Sequence, residues 1–215
     1  IIASLDQSLN RLGLDYVDIF YHHRPDENTP LEETAEALAQ IVRSGKALYI
    51  GISNYKPEAT VKMSALLHDL HVPFIIQQQR YNMFNREPEK GLFQALADQH
   101  LGAITFSPLA QGLLSDRYLN GIPEDSRAAR PSSPFLHEDK VEATLATVKK
   151  LNAIAQNRGQ SLAAMALAWN LRQPVVASVL VGASRTSQLA ANLKALEQLD
   201  FTTDELAAID AALQN

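Results

Sequence analysis

Gly45-Lys46-Ala47-Leu48-Tyr49-Ile50-Gly51-Ile52-Ser53-Asn54-Tyr55 is the stretch that decides the fold class. Before it, Leu31, Leu38, Ile41 and Val42 fall at helical spacing, and Gly45 supplies the stop. Ala47 to Ile52 is a short apolar run bounded by turn signals, which predicts a strand. Polar Ser53-Asn54 follows, and a second helical pattern runs from about Pro57 to Asp69. Helix, stop, strand, polar turn and helix make one turn of a βα repeat, the unit of a parallel sheet. The first of these helices is expected to open at Thr29-Pro30-Leu31-Glu32, with Thr29 as N-cap, Pro30 at the first helical position and Glu32 closing a capping box.

The cycle recurs on both sides. Upstream, Leu5, Leu9 and Leu12 give a helical stripe that stops at Gly13, followed by a strand from Tyr16 to Tyr21 and a polar loop from His22 to Asn28. Downstream, strands are expected at Pro73 to Gln77, Ala103 to Phe106 and Ala177 to Val181. Helices are expected at about Glu89 to His100, Val141 to Asn157 and Leu162 to Leu171. Two more helices close the chain, the last opening on a capping box at Thr202-Thr203-Asp204-Glu205. The first four strands start about 30 residues apart, as βαβ units require. Leu119 to His137, rich in Pro, Ser, Gly and Arg, is expected as a long surface loop.

The pattern leaves the architecture open. A (β/α)₈ barrel takes eight strands and about 250 residues. Five βα units in 215 residues fit an open doubly wound sheet better. In both architectures ligands gather at the C-terminal ends of the strands. There the chain places His22-His23, Ser53-Asn54, Gln77-Gln78-Gln79, Ser107-Pro108 and Gly182-Ala183-Ser184.

Composition narrows the chemistry. Without cysteine, disulfides, thiol nucleophiles and thiolate metal sites are excluded. A net charge of −5 without a basic run argues against a nucleic-acid surface. No apolar run approaches the roughly 20 residues of a membrane span. Ile1-Ile2-Ala3-Ser4 lacks a basic region, a cleavage site and an initiator Met, so no secretory signal is expected, and either residue 1 is not the natural start or processing removed the Met.

Each strand-end residue has a chemical and a structural explanation. His23 can orient and polarise a carbonyl oxygen, or can be a surface-loop histidine beside His22. A metal site at that pair is disfavoured, because adjacent side chains on an extended segment diverge. Ser53, Asn54 and Gln78 can hold a carboxamide, or can close turns and cap strands. Phe106 can stack on a flat ring and the backbone near Gly112 can meet phosphate, or the pair is a core aromatic before a proline turn. Gly182-Ala183-Ser184, with Arg185 and the following helix, has the makings of a phosphate site. No G-x-G-x-x-G, P-loop or serine nucleophile elbow is present.

Four segments in order resemble the aldo-keto reductase family. Arg11-Leu12-Gly13-Leu14-Asp15-Tyr16-Val17-Asp18 through His23 looks like its helix-to-strand-four signature. Gly45 to Tyr55 looks like its strand-five signature, and Phe106 to Gly112 and Val181 to Asn192 look like its cofactor loops. Tyr118 to Arg127 is most typical of the branch with bacterial L-glyceraldehyde 3-phosphate reductases and potassium-channel β subunits. The resemblance implies an α/β fold, the aldo-keto reductase (β/α)₈ barrel, with residues 1 to 215 as a single domain carrying strands four to eight. It implies a cytoplasmic, NADPH-dependent reductase of small aldehydes and ketones, with homo-oligomerisation open. It implies no metal, nucleic-acid or membrane partner. His23 would be the active-site histidine, and Ser53, Asn54 and Gln78 would hold the nicotinamide amide. Phe106 would stack on the nicotinamide, and Ser107, Pro108, Leu109, Ala110 and Gly112 would line the ribose and pyrophosphate. Arg117 and Arg127 would clasp the cofactor, and Gly182, Ser184, Gln188 and Asn192 would meet the adenosine and its 2′-phosphate.

One departure stands beside these matches. The family's catalytic aspartate, tyrosine and lysine precede the histidine strand, and of its tetrad only His23 is present here. Tyr16, Tyr21, Tyr49, Tyr55, Tyr81 and Tyr118 all sit in segments with other roles. The chain alone is therefore expected to be catalytically impaired. The alternative is a non-catalytic NADPH-binding redox sensor of the channel β-subunit kind.

Overall fold

The computed structural model describes residues 1–130 and 132–214. The chain forms two compact units, one of residues 1–79 and 87–104, the other of residues 80–86 and 105–215.

The first unit is built on parallel strands β1 (Val17–His22), β2 (Ala47–Ser53) and β3 (Phe74–Arg80), of which Arg80 belongs to the second unit. Helices α1 (Ile2–Leu12), α2 (Leu31–Arg43) and α3 (Pro57–Asp69) cover one face. Ile50 and Ile52 of β2 point to that side and are buried with Leu5 and Leu9 of α1, Leu38 and Ile41 of α2, and Met63 and Leu67 of α3. Burying one such side chain contributes about 1.5–3 kcal/mol before the cost of ordering it. Gly51, on the opposite side of β2, lies against the Tyr21 ring. A Cβ added there would sit 2.6 Å from Tyr21 Cε1 and 3.2 Å from Ile76 Cγ2, so that face accepts no side chain at 51. Burial pushes the Tyr21 phenol up from its ordinary pKa. The unit also holds α4 (Leu92–Asp98) and β4 (Gly102–Phe106) up to Ile104.

α2 ends as its glycine dictates. Gly45 takes φ 72°, the Gly45 N–H donates to the Val42 carbonyl at 2.9 Å, and the Lys46 N–H donates to the Ile41 carbonyl at 3.3 Å. These two bonds satisfy the last helical carbonyls. Its start differs from expectation. The helix begins at Leu31 with Pro30 as N-cap, and Thr29 donates its hydroxyl to Asp26 Oδ2 at 2.6 Å. The polar loop offered Thr29 a carboxylate partner, so the capping box does not form. Leu12 is also displaced from the expected stripe: it is exposed, because Gly13 at φ 66° ends α1 there.

The second unit carries Thr105-Phe106 of β4, β5 (Val176–Val179), and helices α5 (Glu138–Asn157), α6 (Leu162–Leu171), α7 (Thr186–Leu193) and α8 (Thr203–Leu213). The Tyr81 N–H donates to the Phe106 carbonyl at 3.4 Å, and the Leu180 N–H donates to the Thr105 carbonyl at 2.8 Å. α6 is buried from Leu162 to Asn170, apart from half-buried Ala163. Its polar exception is paired: Thr105 donates to Asn170 Oδ1 at 3.1 Å, and Asn170 Nδ2 donates to the Ala166 carbonyl at 3.0 Å. α8 opens on the expected capping box of Thr202 and Glu205.

In each unit, strand neighbours follow chain order without reversal. A doubly wound sheet reverses its order at a switch point, so the open sheet favoured by element count gives way to the barrel type. Residue periodicity sets strands but not their neighbours, and this is why count alone misled.

Candidate functional site

The candidate residues of the first unit line up across parallel strand ends. His22 pairs with Ile52 and Ser53 with Gln78, so His23, Ser53 and Gln78 share one row. Asn54 closes it. Its N–H donates to the Gln78 carbonyl at 3.2 Å, and its Nδ2 donates to the His23 carbonyl and to Ser53 Oγ, both at 3.0 Å. Asn54 holds φ 60°, a left-handed conformation that asparagine tolerates better than most residues. The backbone is thus turned so that the amide ties the row together.

The adjacent histidines separate. His22 Nδ1 shares a hydrogen bond of 2.6 Å with the Tyr55 hydroxyl, on the helix-covered side. Strand alternation directs exposed His23 to the opposite side, that of Tyr21 and Gly51. Burial, then the N-terminal charge and His23, pushes the His22 pKa below its ordinary 6.5. Burial pushes the Tyr55 phenol up to about 12. The pair is therefore neutral near pH 7. Well above pH 6.5 His22 is neutral in both folded and unfolded chains. Below it the unfolded chain binds the proton first, so stability falls as pH drops through the folded pKa. Amide exchange of β1 and β2 between pH 5 and 7.5 is expected to quicken at the acid end beyond its intrinsic rate. The same profile in His22→Gln is expected to be flatter; equal slopes would sink this assignment.

The three glutamines of β3 also have different surroundings. Gln77 is buried, accepting from Thr60 Oγ1 at 2.8 Å and donating to the Tyr55 carbonyl at 2.9 Å. The Gln79 Oε1 atom is buried without a partner among the described residues. Gln78 is half-buried, and its carboxamide makes no hydrogen bond among the described residues. A half-exposed amide at a strand end, beside the Ser53 hydroxyl, is chemically matched to another carboxamide.

The candidates of the second unit form two groups. Phe106 is half-buried at the end of β4, and Pro108 is buried behind it. Leu109 packs on Ala164, Leu167, Ala168 and Ala195, which fixes the loop to α6. The backbone then turns sharply: Ser107, Ala110, Gln111 and Gly112 all have positive φ, at 55°, 46°, 63° and 99°. Asn82 Nδ2 donates to the Ser107 carbonyl at 2.8 Å, and Ser115 Oγ donates to the Gly112 carbonyl at 2.6 Å. Arg127 donates to Gln111 Oε1, while Arg117 pairs with Asp125 at 2.9 Å. In the second group, the Ser184 N–H and hydroxyl both donate to Gln188 Oε1, at 2.9 and 3.0 Å. Exposed Gly182 precedes them, and half-buried Asn192 lies one helical turn beyond Gln188. Arg185 is the N-cap of α7 and makes no side-chain cap there. Sequence reasoning missed Gln111 and Asn82. Asn82 lies two residues after the end of β3 and could have been found by position; Gln111 gave no local sign. Among the described residues no group of three or more His, Cys, Asp or Glu side chains could hold a metal ion. No described helix is long and apolar enough to cross a membrane.

Known proteins match this arrangement. An L-glyceraldehyde 3-phosphate reductase of Escherichia coli O157:H7 is 56% identical over 214 residues, covering 98% of this chain and 62% of its own length. A protein of Oryza sativa subsp. japonica named "Probable voltage-gated potassium channel subunit beta" is 38% identical, covering 100% of this chain and 67% of its own. The solved glycerol dehydrogenase of Gluconobacter oxydans superposes with a TM-score of 0.80 at 27% identity, over 98% of this chain and 62% of that one. The chain thus spans about three fifths of the reductase's length. The "Aldo/keto reductase family" profile matches residues 1–214, and with it the parallel strands in chain order and their polar C-terminal ends find their place: the chain belongs to the aldo/keto reductase family.

Proposed function

We propose that this chain serves the NADPH-dependent reduction of small aldehydes or ketones to alcohols. The observation that carries the proposal is the row of His23, Ser53 and Gln78 tied by Asn54 at the strand ends. Gln78, with an amide that has no partner among the described residues, and Ser53 with Asn54 fit the carboxamide of a nicotinamide. In the second unit, Ser107, Pro108, Leu109, Ala110 and Gly112, with Arg117 and Arg127, fit ribose and pyrophosphate, and Phe106 offers a face to a flat ring. Gly182, Ser184, Gln188 and Asn192 fit the adenosine end. NADPH, when bound, supplies the hydride. His23 contributes an imidazole that orients the substrate's carbonyl oxygen. The 56% identity to a protein named L-glyceraldehyde 3-phosphate reductase supports aldehydes of that size, methylglyoxal among them.

We propose further that these 215 residues, the C-terminal portion of one barrel domain, turn over poorly by themselves, because of the family's tetrad they hold His23 alone. The setting we propose is cytoplasmic: a chain without cysteine makes no demand for an oxidising compartment. Homo-oligomerisation belongs to the same proposal. Nucleotide fluorescence and methylglyoxal reduction should be measured side by side on this chain and on a version extended by upstream βα units bearing an Asp, a Tyr and a Lys. The expected result is NADPH binding by both and turnover about a hundredfold faster in the longer one. Robust turnover by the 215 residues defeats the impairment, and no NADPH binding by either defeats the function. Binding without turnover by the longer chain points instead to the redox-sensing role, which the identity to proteins named as potassium channel β subunits favours.

A further inference from the structure

We propose that Gln111 is a positioning residue of the loop from Ser107 to Gly112: a neutral latch that holds Arg127 in place and yields it to the phosphate of an arriving dinucleotide. The proposal rests on the reading of this loop as a phosphate clasp and assigns the residue that sets the clasp.

Gln111 has φ 63° and ψ 19°, a backbone conformation where glycine is the ordinary occupant. A glutamine there is held by its surroundings, and such strain gathers at sites that grip ligands. The hold is visible. From one end of the carboxamide, Nε2 donates to Ser107 Oγ at 3.3 Å. At the other end, Oε1 accepts from Arg127, sixteen residues along the chain. A single side chain therefore spans the loop and its basic neighbour. Gln111, Arg127, Arg130 and Ser133 line one cleft of about 390 Å³, so the latch forms part of a basic wall.

The choice of glutamine has a physical reason. A carboxamide oxygen is a neutral acceptor. A phosphate oxygen carries a full negative charge, so arginine meets it as an ion pair and often through two parallel bonds, which a single carboxamide oxygen does not offer. Arg127 is thus held in place without being satisfied. A glutamate at 111 would hold it with full charge and compete with the phosphate. A methionine, of similar shape, would leave it loose.

The test uses Gln111→Met, Gln111→Glu and Arg127→Met in the full chain. One readout is amide exchange over residues 107–130 without nucleotide. The other is titration with NADPH and, separately, with inorganic pyrophosphate. Gln111→Met is expected to speed exchange about tenfold, and Gln111→Glu to restore protection while weakening both ligands about tenfold. In the Arg127→Met background, Gln111→Glu is expected to change affinity less than about twofold, because the effect runs through the arginine. A merely structural glutamine predicts that Glu, once it restores protection, also restores binding. That result overturns the latch, as does an undiminished effect of Glu without Arg127, or exchange indifferent to Gln111→Met. Loss of NADPH binding with pyrophosphate binding retained defeats the dinucleotide reading and leaves the latch standing. Binding of neither probe defeats both.

Discussion

Arg158→Met is expected to destabilise the second unit by about 3–5 kcal/mol, the usual cost of removing one partner from a buried ion pair. The Arg158 side chain is 1% exposed, and each nitrogen of its guanidinium donates a hydrogen bond. It donates to the Glu205 carboxylate, to the Asp200 carbonyl at 3.0 Å and to Gln160 Oε1 at 3.0 Å, and it lies 3.8 Å from the centre of the Phe201 ring. These contacts tie α5 and α8 to the segment between α7 and α8. Methionine restores the volume and none of the donors. Glu205, 25% exposed, would keep a charge whose only other bond among the described residues is to the Thr202 N–H at 2.8 Å. Urea unfolding followed by far-ultraviolet dichroism checks the value. A loss below about 1 kcal/mol would mean that Glu205 behaves as an exposed, screened carboxylate. Arg158→Lys is expected to fall between, since an ammonium keeps the charge without the fork.

Trp169→Ala is expected to cost about 3–5 kcal/mol through the cavity it leaves. Trp169 is fully buried and stacks on Tyr81 with ring centroids 5.0 Å apart. The Arg172 guanidinium lies 3.7 Å over its ring and also donates to the Tyr81 hydroxyl at 2.9 Å. Removing the indole therefore removes a stacking partner and a cation–π partner together, each contributing about 0.5–1.5 kcal/mol beyond area burial. Trp169→Phe is expected to recover roughly half of the loss. Thermal unfolding by dichroism decides. An alanine variant within about 1 kcal/mol of the parent would require that Tyr81 and Arg172 collapse into the space.

Much of this was legible in the sequence where local chemistry decides. α3 (Pro57–Asp69) and α6 (Leu162–Leu171) have the bounds read from proline, glycine and apolar spacing, and the Thr202 capping box forms as written. Misreadings arose where distant or alternative partners compete. Thr29 found Asp26, and the helix expected from Glu89 begins only at Leu92, because Gly91 takes φ 105° before it. β5 ends at Val179 rather than Val181. The polar residue types at the strand ends announced the candidate site. Of three adjacent glutamines the resemblance singled out Gln78; that Gln77 braces α3 through Thr60 is a matter of pleat and of a partner seventeen residues away, and it became legible only with the structure. Gln111 could not be found at all. Its importance lies in a left-handed backbone and a contact sixteen residues away, neither of which leaves a local sequence signature.

The close fit of Gly51 beneath the Tyr21 ring carries a consequence for descent. Position 51 gains a side chain only if position 21 gives up its ring, because a methyl group 2.6 Å from Cε1 has nowhere to go. A lineage passing through alanine at 51 with tyrosine at 21 crosses an overpacked intermediate that costs about 1–3 kcal/mol. The two positions, on neighbouring strands thirty residues apart, are therefore expected to change together rather than singly.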